Sequence, residues 1–418
     1  MALAIEPKMK LSILGLLVAV LLFVDLSESF TLSGQSRHNT VEKLRRYQEL
    51  KRQSRIKKFY MPEYPEAPLT VSVSIGGSVY QLSVETGQTS LWTLSPNYTE
   101  LTKDNKPYEP SESKTSWNVD DYFSGITGNF RVYGYLYGDM VSVSNETSFN
   151  QTFGLISATN GIIDPWYDST FDGIDGALGL GWDPTNVPST PNYYSEPIHN
   201  ILHNAKDVKH GNEFYVLWMA NADQQLTNDG TGHHYNWEIS FGKIDHNLCE
   251  RNFNMTSLLS SSLSTPAFQL SQFSFGDYTY DMEDNYVSVD TGSPVIYMPS
   301  EVYEKIFDVI SPTYDWDTGL YTVDCKNAGT YDPWIFSLDG VDYTVPSSTY
   351  VVDIGIGDGQ CVLSYGLSNF YTADWVLGNP WLIEHCVLFD IKNSQIGFAK
   401  PKPSASVSTT AKPTTQKK

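Results

Sequence analysis

Short stretches in which apolar and polar residues alternate recur along most of the chain. Alternation with period two is the pattern of a strand with one face buried. Leu69-Thr-Val-Ser-Val-Ser-Ile75 and Val79-Tyr-Gln-Leu-Ser-Val84 flank Gly76 and Gly77, which predicts a β-hairpin. The same punctuation recurs at residues 134–143, 237–241, 336–343 and 387–398. Helical periodicity is scarce. Residues 197–205 and 300–310 carry it, the second with Ser300 as the expected N-cap and Glu301 in the first turn. The pattern predicts a mostly β protein with a few short helices.

The ends of the chain follow other rules. Lys8 and Lys10 precede an apolar run over residues 11–24, with Ser27 and Ser29 beyond it, the layout of a secretory signal peptide spanning 1–29. The run stops at Asp25, short of the roughly 20 residues that cross a bilayer, so no stable membrane span is expected. Export agrees with four glycosylation triplets, at Asn97, Asn145, Asn150 and Asn254. Residues 401–418 are Ser, Thr, Pro and Lys with little to bury, and read as a disordered tail.

At 418 residues the chain is too long for one hydrophobic core, so two or more lobes are expected. An apolar fraction of 40% with 27 Tyr and 10 Trp excludes a disordered chain, a collagen and a coiled coil. The net charge of -21 is unevenly spread. Residues 59–399 hold 11 Lys and Arg against 43 Asp and Glu, a field that repels phosphate backbones, so no nucleic-acid partner is expected. Residues 30–59 reverse the sign, with Arg37, Lys43, Arg45, Arg46, Lys51, Arg52, Arg55, Lys57 and Lys58. Such an arm can lie over the acidic core at neutral pH and leave it as carboxylates protonate, which makes it a pro-segment.

Cys249, Cys325, Cys361 and Cys386 in an exported chain predict two disulfides, with three pairings open. His199 and His203 lie four apart on a predicted helix, but no third ligand is near and neither CxxC nor HExxH occurs, so no metal site and no cofactor are expected.

An internal repeat sets the architecture. Val84-Glu85-Thr86-Gly87 returns 205 residues later as Val289-Asp290-Thr291-Gly292. Ser90-Leu91-Trp92 is matched by Val295-Ile296-Tyr297, and Ala177-Leu178-Gly179-Leu180 by Val376-Leu377-Gly378-Asn379. Two copies of one β lobe, here 60–245 and 246–400, can pair about a pseudo-two-fold axis that brings Glu85 and Asp290 face to face. Carboxylates a few ångström apart share one proton. One then serves as general base on a bridging water while the other donates to a peptide carbonyl. Thr86 and Thr291 are expected to bond across the axis, and Gly87 and Gly292 to let the turns pass close to the acids.

Over residues 60–400 the chain resembles the pepsin family of aspartic endopeptidases. The resemblance rests on residues 82–92 and 287–293, similar to the two active-site segments, on 171–181, and on 375–382 with 387–390 and 396–398. It implies a bilobal β fold with a cleft between the lobes, a basic pro-segment over that cleft, peptide or protein substrates, and a monomer. It also implies that Cys325 pairs with Cys361, with Cys249 and Cys386 as a second bridge, and that Tyr122 is the tyrosine of a flap over the cleft. Ser293 is the small hydroxyl residue expected to bond Asp290. The family has Asp where Glu85 stands and a small hydroxyl residue where Gln88 stands, and the disulfide usual in its first lobe is missing. Glu moves the carboxylate out by one C–C bond, about 1.5 Å, and a misplacement of about 1 Å can cost on the order of a hundredfold in rate. The expectation is therefore a secreted or lysosomal acid endopeptidase of reduced activity. The alternative is a lapsed homologue that binds peptides or proteins in its cleft.

Overall fold

The computed structural model describes residues 31–35, 69–99, 101–127, 130–144, 147–160, 173–185, 187–188, 191–206, 208–221, 235–259, 265–315, 320–354, 357–368 and 373–402. The expected signal peptide, most of the basic arm, the triplet at Asn145 and the tail beyond 402 lie outside the described residues.

Among those residues strand dominates, in five sheets, and the α-helices are short: Pro197–Asn204, Ser300–Ile310, Ser347–Tyr350 and Asn379–Glu384. The hairpin at the start of the first lobe joins Thr70–Ile75 to Ser78–Glu85 through Gly76 and Gly77, at φ 61° and 89°. Two consecutive left-handed residues give a turn whose twist matches that of the strands, and glycine adopts them without steric cost. The helix Ser300–Ile310 corrects one expectation. Its N-cap is Pro299 and no side chain caps it, so Ser300 is the first helical residue rather than the cap.

The repeated segments fold into the same strand crossing in each lobe. In the first, Ser78–Glu85 runs parallel to Gly176–Gly179, which pairs antiparallel with Leu91–Leu94, which runs parallel to Ser148–Asn160. In the second, Val287–Val289 runs parallel to Trp375–Leu377, which pairs antiparallel with Ile296–Met298, which runs parallel to Tyr365–Leu367. The glycine in each crossing strand is required by contact. A Cβ on Gly179 would stand 2.6 Å from the Gln88 carbonyl oxygen, and one on Gly378 would stand 2.1 Å from the Ser293 carbonyl oxygen. Three residues beyond each glycine a tryptophan, Trp182 or Trp381, is fully buried.

A six-stranded sheet joins the lobes in the order Thr31–Gln35, Tyr235–Phe241, Phe214–Asn221, Cys386–Asp390, Gln395–Ala399 and Asn254–Ser257. Phe214–Asn221 pairs antiparallel with Cys386–Asp390 at the centre. There Tyr215 stacks on Phe389 with centroids 4.6 Å apart, and Trp182 meets Phe389 edge to face. Thr31–Gln35, from the start of the basic arm, forms the edge strand, with Leu32 buried. The cysteines pair as Cys249–Cys386 and Cys325–Cys361, with Cα separations of 6.1 and 5.0 Å.

Candidate active site

Glu85 closes the strand Ser78–Glu85, and Asp290 directly follows Val287–Val289, so each crossing ends in an acid. The turns after them interlock. The Thr86 amide donates to Thr291 Oγ1 at 3.1 Å, and the Thr291 amide donates to Thr86 Oγ1 at 3.2 Å. Each hydroxyl then donates onward across the junction, Thr86 to the Val289 carbonyl at 2.9 Å and Thr291 to the Val84 carbonyl at 2.6 Å. Both threonines are buried, so these four bonds work in a low-dielectric setting where leaving one unmade is expensive.

The two acids are held differently. Asp290 Oδ1 accepts from the Gly292 amide at 2.9 Å and, across the junction, from the Gly87 amide at 3.1 Å. Its Oδ2 accepts from Ser293 Oγ at 2.9 Å. Burial raises the Asp290 pKa, opposed by the donors on Gly292, Ser293 and Gly87, which favour the carboxylate. Glu85 Oε1 accepts from Ser83 Oγ at 2.6 Å, and Oε2 accepts from Gln88 Nε2. Gln88 Oε1 in turn accepts from the Trp92 indole at 3.2 Å. Both acids border Gly292: a Cβ built there would lie 3.3 Å from Asp290 Oδ1 and 3.5 Å from the Glu85 carboxyl carbon.

Thr86, Gly87, Thr291, Gly292 and Ser293 thus meet at the junction with Glu85 and Asp290. Ser83 escaped the sequence reading, although a signal existed: residues two apart on a strand share a face, so Ser83 had to project beside Glu85. Tyr122 falls elsewhere. It lies in the strand Trp117–Thr127, which pairs with Phe130–Ser142, opposite Tyr135 and before the last pair, Thr127 with Phe130. It is 58% exposed and meets Tyr133 and Tyr135. The inward residue is Phe123, buried with Trp92, Leu94 and Val132 and lying over Gly154, where a Cβ would come within 2.3 Å of its ring. Between Asn118 and Tyr122, with Asp120 at φ 58°, this strand carries two extra residues against its partner; an even number keeps the alternation, so Tyr122 shares the exposed face of Asn118 while Phe123 faces inward.

Of the glycosylation candidates, Asn97 and Asn150 are exposed. Asn254 is half-buried in the strand paired with Gln395–Ala399, with its amide nitrogen buried. His199 is buried on the helix Pro197–Asn204, with Nε2 3.5 Å from Glu196 Oε2.

Two pseudo-symmetric β lobes with paired acid-Thr-Gly turns at their junction make up the arrangement of the pepsin-like class. The chain belongs to the eukaryotic aspartyl protease family, whose model matches residues 69–401. It is similar to aspartic protease 1 of Caenorhabditis elegans, 27% identical over 327 residues, which cover 76% of this chain and 77% of that protein. It is also similar to pepsin A of Gallus gallus, 26% identical with 81% and 86% covered. Vacuolar aspartic protease of Candida albicans is 22% identical, with 82% and 77% covered.

Proposed function

We propose that the chain is an exported endopeptidase that hydrolyses peptide bonds at acid pH through a water held between Glu85 and Asp290. The observation that carries this reading is the reciprocal Thr86–Thr291 bonding, with the Gly87 amide reaching Asp290 across the junction. In the proposed reaction Asp290, whose burial favours the neutral form, holds the shared proton, and Glu85 is ionised. Glu85 takes a proton from the water, the water oxygen attacks the peptide carbonyl carbon, and Asp290 passes its proton to the carbonyl oxygen. The tetrahedral diol then collapses: its C–N bond breaks, Glu85 returns a proton to the leaving amine, and one diol hydroxyl gives its proton back to Asp290 as the C=O bond forms. No metal or nucleophilic side chain enters the scheme.

We read residues 1–29 as a signal peptide, 30–59 as a pro-segment whose first strand is Thr31–Gln35, and the lobes as 60–245 and 246–400. Export places the product outside the cell or in lysosomes, with glycans at Asn97 and Asn150. The test is to hold the expressed precursor at about pH 4, near the ordinary carboxylate range, with an unstructured protein substrate. Cleavage that Asp290→Asn abolishes supports the reading.

One observation favours a second reading, a lapsed homologue that binds peptides in the cleft. Both oxygens of Glu85 are bonded within its own lobe, by Ser83 and Gln88, whereas the Gly87 amide serves Asp290. Silence of the native protein together with cleavage by Glu85→Asp would establish that reading.

A further inference from the structure

The pseudo-symmetry that pairs Glu85 with Asp290 also pairs Gln88 with Ser293, each three residues beyond its acid. Ser293 Oγ donates to Asp290 Oδ2, and Gln88 Nε2 donates to Glu85 Oε2, so a longer acid is matched by a longer donor. A glutamine amide swinging freely would hold nothing. This one is fixed, because an indole N–H only donates and a carboxylate only accepts. Trp92 therefore takes the amide oxygen of Gln88, and Glu85 takes the amide nitrogen. Ser83 secures the other carboxylate oxygen from the same strand face. Ser83, Gln88 and Trp92 are all buried, and the bond between Gln88 and Trp92 is shielded from water, while Glu85 itself is half-buried.

We propose that Gln88 is a positioning residue. Locked by the Trp92 indole, it sets the Glu85 carboxylate against Asp290 and so makes a Glu/Asp dyad workable where the family pattern has Asp and a small hydroxyl residue. The consequence for turnover rests on the endopeptidase reading; the positioning itself does not. The chain from Trp92 through Gln88 to Glu85 means that the charge on Glu85 is felt at the indole N–H. The other acid at the junction is Asp290. Asp175, whose carbonyl bonds Thr93 next to Trp92, turns its carboxylate to the amides of Gln81 and Lys106 instead.

The experiment follows the Trp92 indole resonance, assigned with Trp92→Phe, in protein 15N-labelled at tryptophan. In the native protein it should move as pH falls through the carboxylate range. The movement should persist in Asp290→Asn and vanish in both Glu85→Gln and Gln88→Met, while the remaining indole signals stay in place. A resonance that is indifferent to pH in the native protein, or that still moves in Gln88→Met, overturns the proposal. With substrate, Gln88→Met should lower kcat by roughly 10- to 100-fold and leave KM nearly unchanged, as expected for a misplacement of about 1 Å. The double variant Glu85→Asp/Gln88→Ser should exceed the product of the two single effects, because the residues act as a pair. Strict additivity counts against the pairing. Should no variant cleave anything, the endopeptidase reading falls, and the indole resonance still decides the role of Gln88.

Discussion

Gly87 and Gly292 are equivalent by sequence and unequal in space, and that inequality yields a sharp prediction. A Cβ on Gly87 would stand 2.5 Å from Asp290 Cγ and 2.6 and 2.8 Å from its two oxygens. Ordinary contact begins at 3.4 Å, so the Asp290 carboxyl would have to retreat by about 0.9 Å. It cannot do so freely, because the Gly292 amide and the Ser293 hydroxyl hold it. The methyl would also strain the Gly87 amide bond to Oδ1, a donor that reaches Asp290 from the other lobe. A displacement of that size is expected to cost on the order of a hundredfold in kcat/KM, and overpacking at a buried site about 1–3 kcal/mol of stability. On Gly292 the nearest atoms to a new Cβ lie at 3.3 Å, a shortfall of about 0.1 Å that small shifts absorb. Gly292→Ala should therefore lose a few-fold in rate at most. Cleavage of an unstructured protein at acid pH and urea-unfolding midpoints, measured on both variants, separate the cases. Equal losses in the two, or a larger loss in Gly292→Ala, would refute the assignment of Gly87 as the closer neighbour of Asp290.

Two further outcomes follow from the geometry. Thr86→Val keeps the shape but removes the donor to the Val289 carbonyl and the acceptor for the Thr291 amide, and should cost about 3 kcal/mol of unfolding free energy, whereas Thr86→Ser should cost less than half of that; equal losses would show that the bonds contribute nothing. Burial holds the His199 pKa down at about 4, below its ordinary value, so its contribution is fully present above about pH 6.5 and is lost as pH falls toward 4, by roughly 3 kcal/mol. Glu196 beside it is shifted up by burial and acts in the opposite sense, so the diagnostic is a difference: His199→Gln should lose less stability than the native protein between pH 6.5 and 4, and parallel curves would disprove the role of His199.

Much of the fold was readable because the repeat carries its own explanation. Gly179 and Gly378 sit where an added Cβ would come within 3 Å of a neighbouring backbone, so the apolar-Gly signature marks the crossing itself. The paired acid-Thr-Gly turns were legible for a related reason: each threonine does the same work for the other lobe. The surroundings of Tyr122 were not legible in the same way: its place rested on the resemblance, and the two extra residues between Asn118 and Tyr122 are not announced by the local pattern. The link from Gln88 to Trp92 was hidden more deeply. It joins a residue of the loop after the Thr86-Gly87 turn to one in the strand Leu91–Leu94, where no periodicity relates them.

The sheet that joins the lobes governs how the molecule can open. Val387, Leu388, Phe389 and Asp390 lie in register with Leu217, Val216, Tyr215 and Phe214, so a hinge at this seam would have to unzip a ladder and unstack the Tyr215–Phe389 rings at once. The jaws of this vice are cast in one piece, and any widening of the gap has to leave that ladder intact.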